Sequence, residues 1–175
     1  MLWSVSCTTR KPRATESPGK WYDFVSEADF QRMVQAGEFL EYARVFGSNW
    51  YGTPRKWLDE ARHRGFDLVL EIDVQGAAQV KQKLPTALAI FILPPSRQEL
   101  ELRLRARGQD SEEEIRKRLD RARQEMQSYR QYDFVVVNDD LERAGRAVQA
   151  IATAARCRSD HNEEQVRKIL ETFGG

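Results

Sequence analysis

Three short runs of apolar residues constrain this fold more than any other feature of the chain: 66–72 (FDLVLEI), 87–93 (ALAIFIL) and 133–138 (DFVVVN). A strand with one wet face alternates polar and apolar residues. A strand that is apolar at nearly every position is covered on both faces, the situation in parallel sheets flanked by helices. Residues 2–7 (LWSVSC) offer a fourth strand of this kind. Helical patterns lie between and after these runs. Ile115, Leu119, Ala122, Met126 and Tyr129 recur at three- and four-residue spacing, as do Leu141, Ala144, Val148, Ile151 and Ala155, and each set is one face of a helix. Ser96, following Pro95, is an expected N-cap for a helix over 97–106, and Gly108 its stop. Strands alternating with helices predict an α/β fold with right-handed crossovers around a parallel sheet.

Residues 10–53 break that rhythm. Turn signals fall at Lys11-Pro12, Pro18-Gly19 and Gly47-Ser48, with a helical pattern near 27–36 and aromatic-rich strands near 22–25 and 39–46. This is the pattern of an inserted, largely β subdomain. The tail, 160–175, places Val166, Ile169, Leu170 and Phe173 on one side of a last amphipathic helix, with Gly174-Gly175 expected to fray. A length of 175 residues suits one domain with a substantial core.

Charge excludes some partners. With 28 basic and 27 acidic residues, the chain has no general attraction for nucleic acid or an anionic membrane. The longest apolar stretch, 87–93, is too short to span a bilayer, and the first residues lack the basic start and long apolar run of a signal peptide. Cys7 and Cys157 have no metal-ligand spacing, and His63 and His161 have no Cys or His partners nearby in sequence. A cytoplasmic protein is expected.

The richest chemistry lies in 6–13 (SCTTRKPR) and the residues that answer it downstream. Arg10 and Arg13 lie in a turn stiffened by Pro12, and two permanently charged planar forks suit a phosphate. Tyr22 and Tyr51 add hydroxyl donors. Glu41 suits a base with two adjacent donors: guanine presents N1–H and N2–H2 together, whereas adenine offers no such pair and would leave the carboxylate unmatched. Ser6 and Thr53 supply further hydrogen bonds. Taken singly, each arginine is a surface residue, Glu41 a strand-edge charge and Tyr51-Gly52-Thr53 a turn. Together and in this order they describe a pocket for a phosphate with a polar base attached.

These residues sit in segments that resemble guanylate kinases over about 3–156: 4–13 (SVSCTTRKPR), 21–26 (WYDFVS), 37–53 (GEFLEYARVFGSNWYGT), 70–77 (LEIDVQGA), 90–96 (IFILPPS), 105–119 (RARGQDSEEEIRKRL) and 135–141 (VVVNDDL). The resemblance implies a P-loop-kinase-like core over 1–156, with 10–53 as GMP-binding subdomain, 105–119 as a helical lid, and 157–175 as a C-terminal extension. It implies that GMP is held by Ser6, Arg10, Arg13, Tyr22, Glu41, Tyr51 and Thr53, and that one residue is added in the turn at 46–49 relative to some relatives. Arg107 and Arg118 match lid arginines that close on the ATP phosphates. Asn138 matches a residue near the adenine, and Glu71 and Asp73 match an acidic site near the reacting phosphates and Mg2+. Some relatives have Asp where this chain has Glu71. Arg10, Arg107, Arg118 and Asp73 are the residues expected at the reaction itself. Two of these stretches also carry plain structural roles: Ser111 with 112–114 caps a helix, and Asp139 and Asp140 cap the next.

The expected donor half is incomplete. The chain contains no G-x-x-x-x-G-K-[ST] sequence; Gly19-Lys20 is followed by Trp21, and Ala14 stands where the first glycine belongs. The resemblance implies a first strand, phosphate loop and helix, and lack of that strand would leave two neighbours with unpaired backbone groups. Either Met1 is an internal methionine with the loop upstream, the favoured expectation, or the 175-residue chain is the product and uses ATP poorly. The expected activity is ATP-dependent phosphorylation of GMP to GDP, impaired in this stretch alone. The alternative is an inactive module that binds GMP or a phosphorylated protein partner. The expected partners are GMP and ATP, in a monomer or homodimer.

Overall fold

The structure is a computed structural model that describes all residues except 14, 15, 18, 46–48, 109 and 175. The turns expected at Pro18-Gly19 and Gly47-Ser48, the added residue at 46–49 and the fraying at Gly175 fall wholly or partly outside the described residues. The chain forms two compact units, Met1–Ala87 and Leu88–Gly175.

The first unit is built on a four-stranded mixed sheet. Strands β2 (Ser6–Thr8), β3 (Tyr22–Phe24), β4 (Phe39–Val45) and β5 (Asn49–Pro54) lie in the order β3-β2-β5-β4. β2 runs parallel to β3 and antiparallel to β5, and β5 runs antiparallel to β4. Helix α1 (Glu27–Gln35) starts where Ser26 accepts a hydrogen bond from the Asp29 amide at 3.0 Å. It buries Phe30 against Cys7 and Phe39. The Phe30 ring stacks on Phe39 at 4.5 Å and on Trp50 at 5.9 Å. Helix α2 (Lys56–Arg64) ends at Gly65, whose φ of 63° is the left-handed conformation that a side chain would strain. Helix α3 (Val74–Lys83) is capped by Asp73. α3 also closes the edge of β4: Gln79 accepts from the Tyr42 amide at 3.2 Å and donates to its carbonyl at 2.6 Å. Paired side-chain bonds of this kind protect an edge as a further strand would.

The expected strand over 2–7 is two strands belonging to different sheets. β1 (Leu2–Trp3) pairs in parallel with β6 (Leu68–Val69), and β2 begins only at Ser6. The break has a cause, since the Trp57 indole N–H donates to the Val5 carbonyl at 2.9 Å and takes that group out of any ladder. The run 66–72 likewise contributes only two paired residues. Phe66 is exposed and lies 4.6 Å from the Arg64 guanidinium.

In the second unit β7 (Ile90–Leu93) and β8 (Phe134–Val137) pair in parallel, Ile90 opposite Phe134 through Leu93 opposite Val137. Helix α4 (Arg97–Ala106) is capped by Ser96 as expected, and Gly108 follows it at φ 61°. Helix α5 (Glu112–Glu125) passes into a 3-10 turn, Met126–Gln131. Leu104, Ile115 and Leu119 form the buried cluster between α4 and α5, with Leu100 against it. Helix α6 (Leu141–Arg156) is followed by a short 3-10 turn, Ser159–His161, and by α7 (Glu163–Glu171).

The α/β class and the parallel pairing are as expected, but among the described residues the parallel ladders outside the mixed sheet are two separate two-stranded pairs. The expected burial on both faces is correspondingly not found. In β8 only Val136 is buried, while Phe134, Val135 and Val137 are exposed, because a two-stranded ribbon has no flanking strands to shield its residues.

Candidate functional site

The first unit carries two polar constellations on its mixed sheet. The deeper one is centred on Glu41. Glu41 stands opposite Thr53 across the β4–β5 ladder, just after a register shift between Phe39 and Glu41. Such irregularities re-aim a side chain and are common beside functional sites. Glu41 is only 4% exposed, a rare setting for a carboxylate unless it is partnered. Its Oε1 accepts from the Thr53 hydroxyl at 2.6 Å, and the Ser6 hydroxyl lies 3.2 Å from the same Thr53 oxygen. Thr53 has one hydroxyl proton, committed to Glu41, so Ser6 donates to Thr53. Burial pushes the Glu41 carboxyl above its ordinary value, the Thr53 bond pulls it back, and the nearby Asp73 charge raises it while Lys83 lowers it. The other oxygen, Oε2, lies over Gly76 of α3. A β-carbon there would sit 2.5 Å from it.

The shallower constellation is centred on Arg10, two residues past β2. Its guanidinium lies 5.6 Å from the ring centres of Tyr22 and of Phe24, and Tyr22 and Tyr51 meet edge to face at 5.7 Å. Arg10 Nε donates to the Tyr51 hydroxyl at 3.2 Å. Nη1 and Nη2 donate to the two oxygens of Glu16, each at 2.9 Å, and Nη1 also donates to the Lys11 carbonyl at 2.8 Å. The bidentate pair holds the Glu16 carboxyl down to about 2, with the Arg13 amide bond adding to the effect. Burial, followed by the neighbouring Tyr51 and Glu71, pushes the Tyr22 hydroxyl up.

Of the residues singled out in the sequence, Ser6, Glu41 and Thr53 are joined by hydrogen bonds, and Arg10, Tyr22 and Tyr51 by contacts. Arg13 is exposed, and its amide donates to Glu16 at 2.8 Å. Glu71 is exposed. Asp73 is the N-cap of α3, accepting from the Gly76 amide at 2.9 Å. Among the described residues no group of three or more His, Cys, Asp or Glu side chains is placed to hold a metal ion.

Arg107, Arg118 and Asn138 belong to the second unit. Arg107 follows the last turn of α4 and is exposed. Arg118, on α5, pairs with Asp110 at 3.2 Å. Ser111 and Glu114 form a reciprocal capping box at the start of α5, so the capping role expected for this stretch is present. Asn138 follows β8, its amide donating to Leu93 at 2.7 Å and its carbonyl accepting from Arg103 at 2.9 Å. Asp140 caps α6, and Asp139 pairs with Arg143.

Glu16 escaped the sequence reading, since an acid in a basic, irregular stretch obeys no periodicity. The one available signal was its isolation as the only acidic residue in 10–17. Gly76 escaped it for another reason: a helix glycine without positive φ gives no turn signal, and its need is set by Glu41, far away in sequence.

An α/β fold that carries a buried carboxylate with hydroxyls and an arginine–tyrosine cluster on one sheet, with Tyr51 and Thr53 two residues apart on β5, defines a protein equipped for a small, polar, anionic molecule. The comparisons sharpen this. The family model described as guanylate kinase matches residues 1–155. The guanylate kinase of Caldanaerobacter subterraneus subsp. tengcongensis is 48% identical over 168 residues, 96% of this chain and 81% of that protein. That of Aliivibrio fischeri is 46% identical over 173 residues, 99% of this chain and 83% of that protein. The crystal structure of guanylate kinase from Anaplasma phagocytophilum superposes with a TM-score of 0.77 at 38% identity, covering 90% of this chain and 77% of that one. The chain belongs to the guanylate kinase family.

Proposed function

We propose that this chain takes GMP on its first unit, with Glu41 reading guanine and the Arg10 cluster receiving the phosphate, for phosphorylation to GDP by ATP. The buried Glu41 carboxylate carries this reading. It is tied to Thr53 on one oxygen, and the other fits into the space that Gly76, lacking a β-carbon, leaves for it. Two adjacent donors of guanine would satisfy it, whereas adenine would leave it unmatched. Arg10, Arg13, Tyr22 and Tyr51 supply the charge and hydroxyls for a phosphate, and Ser6 and Thr53 complete the base side.

Phosphoryl transfer from ATP passes the γ-phosphoryl group to a GMP phosphate oxygen, and catalysis lies mainly in positioning and in cationic stabilisation. In the proposed layout, 10–53 is the GMP-binding subdomain and 105–119 is the lid, from which Arg107 and Arg118 meet the ATP phosphates. Asn138 lies by the adenine, Glu71 and Asp73 face the reacting phosphates, and 157–175 is an extension. Mg2+ usually binds through substrate phosphates and one or two carboxylates. The described residues offer no three-carboxylate cluster that would hold it by themselves, and no step is assigned to a protein-held ion. The absence of a G-x-x-x-x-G-K-[ST] sequence within 1–175 supports a further proposal, that this stretch alone binds GMP but turns it over poorly. No described helix is long and apolar enough to cross a membrane, which is compatible with a cytoplasmic site of action.

Calorimetric titration of residues 1–175 with GMP and AMP tests the reading. GMP should bind at least about a hundredfold more tightly than AMP, and Glu41→Gln should abolish the preference. Equal affinities for the two nucleotides in the wild-type chain would overturn it.

A further inference from the structure

Arg10 is more fully engaged than a site awaiting an anion requires. A guanidinium has five N–H groups, and four of them have partners here: Nε with Tyr51, both Nη1 protons with Glu16 and the Lys11 carbonyl, and one Nη2 proton with Glu16. The arrangement is directional. Glu16 takes the end-on edge formed by Nη1 and Nη2, and Lys11 takes the outer side of Nη1. Among the described residues, what is left is the second Nη2 proton; it lies on the side-on edge, whose Nε donates to the Tyr51 hydroxyl. Glu16 does more than pair with Arg10, because its Oε2 also accepts from the Arg13 amide at 2.8 Å, and its own amide donates to the Arg13 carbonyl at 3.0 Å. One carboxylate thereby fixes the orientation of one arginine and the backbone of the other.

We infer that Glu16 is a positioning residue for the phosphate of the nucleoside monophosphate: by holding the end-on edge of Arg10 and the backbone of Arg13, it presents the side-on edge of Arg10, beside Tyr51, to the incoming anion. The inference rests on the GMP reading above. Glu16 opposes the phosphate by charge, yet the guanidinium lies between them and a planar fork can serve a carboxylate on one edge and a phosphate on the other. Without Glu16 the long Arg10 side chain regains rotamer freedom that phosphate binding must then remove. Pre-organisation therefore outweighs repulsion. Both Glu16 and Arg10 are largely shielded from solvent, with side chains 12% and 18% exposed, so the pair is less frayed by water than the surface ion pairs elsewhere in the chain.

The test is titration calorimetry of residues 1–175, wild type, Glu16→Gln and Glu16→Ala, with GMP and with guanosine. The two ligands share the base and differ in the phosphate. Both variants should bind GMP about tenfold more weakly and guanosine as the wild type does. GMP affinity that is unchanged or increased, or guanosine affinity that falls as much as GMP affinity, overturns the inference. A wild-type chain that binds GMP no better than guanosine removes the underlying reading, and this is known before any variant is made. A variant that fails to fold is covered by NMR of the unaltered chain. Added GMP should shift the Arg10 Nε proton while the Nη protons remain protected, whereas release of the Nη protons would show Glu16 displaced and the inference wrong.

Discussion

Glu41 Oε2 lies in the space that a β-carbon on residue 76 would enter, 2.5 Å from where that carbon would be. The Glu41 carboxylate of β4, proposed to read the base, and the first turn of α3 are thus fitted to each other through the absence of one methyl group. A contact that short forces something to move, and the movable partner is the end of the Glu41 side chain.

Gly76→Ala should therefore separate stability from binding. Alanine suits a helix interior better than glycine by roughly 0.5–1 kcal/mol, which offsets much of the local strain. The displaced carboxylate loses its alignment to the base. GMP affinity should fall by about tenfold or more while the melting temperature changes by only a few degrees. Unchanged affinity in calorimetry would show that Glu41 accommodates the methyl group without loss of function.

In the proposed reading, the pH dependence of base recognition follows from the burial of Glu41. Its carboxyl is raised above the ordinary 4.5 in the folded chain, chiefly by burial. A raised acid favours the folded state in its protonated form. Its contribution is therefore present at low pH and is lost as pH rises through the raised value. Binding of guanine runs the other way, because the base donates to the ionised form. Guanosine affinity should fall as pH drops through a midpoint above 4.5. Guanosine is the right probe, since the phosphate of GMP itself titrates near pH 6. Thr53→Val removes the bond that favours the carboxylate and should move the midpoint up, while Glu41→Gln should flatten the profile. A midpoint at or below the ordinary value would count against the buried, base-facing carboxylate.

Much of this was legible in the sequence, for physical reasons that differ by residue. Helix α1, the Ser96 cap and the Ser111–Glu114 capping box follow from local chemistry, so their signals are contained in a few adjacent positions. Ser6, Glu41 and Thr53 were nameable through the family resemblance, but the direction of their hydrogen-bond chain required coordinates. Residues 2–7 misled because apolar continuity does not record which ladder a residue joins. The Val5 carbonyl is taken by Trp57, more than fifty positions away. Exposure of Val135 and Val137 was equally invisible, since an apolar run states what a strand prefers and not how many strands flank it. Glu16 and Gly76 acquire meaning only from distant or aperiodic partners.

The start of α5 allows a prediction independent of any ligand. Ser111 accepts from the Glu114 amide at 3.3 Å, and the Glu114 carboxylate accepts from the Ser111 amide and hydroxyl at 2.7 and 2.8 Å. Ser111→Ala removes the side-chain half of this box and should cost about 1 kcal/mol in urea unfolding. Because the cap belongs to the second unit, GMP affinity on the first should be unaltered. A loss of GMP affinity in this variant would show that the two units do not act independently in binding.

The acid side of the stability curve should report on Glu16. Its carboxyl is lowered from 4.5 to about 2, first by the Arg10 side chain and then by the Arg13 amide. A lowered acid stabilises the fold when ionised, so its contribution is complete above the unfolded value and is lost as pH falls through the folded one. The difference in melting temperature between wild type and Glu16→Gln should be constant from neutral pH down to about 5. It should then shrink as pH falls from 4.5 toward 2. Salt should shrink it only modestly, since the pair is close and mostly shielded. A difference that instead persisted unchanged below pH 3 would mean that Glu16 acts by shape and not by charge, leaving Arg10 without an ionic partner to orient it.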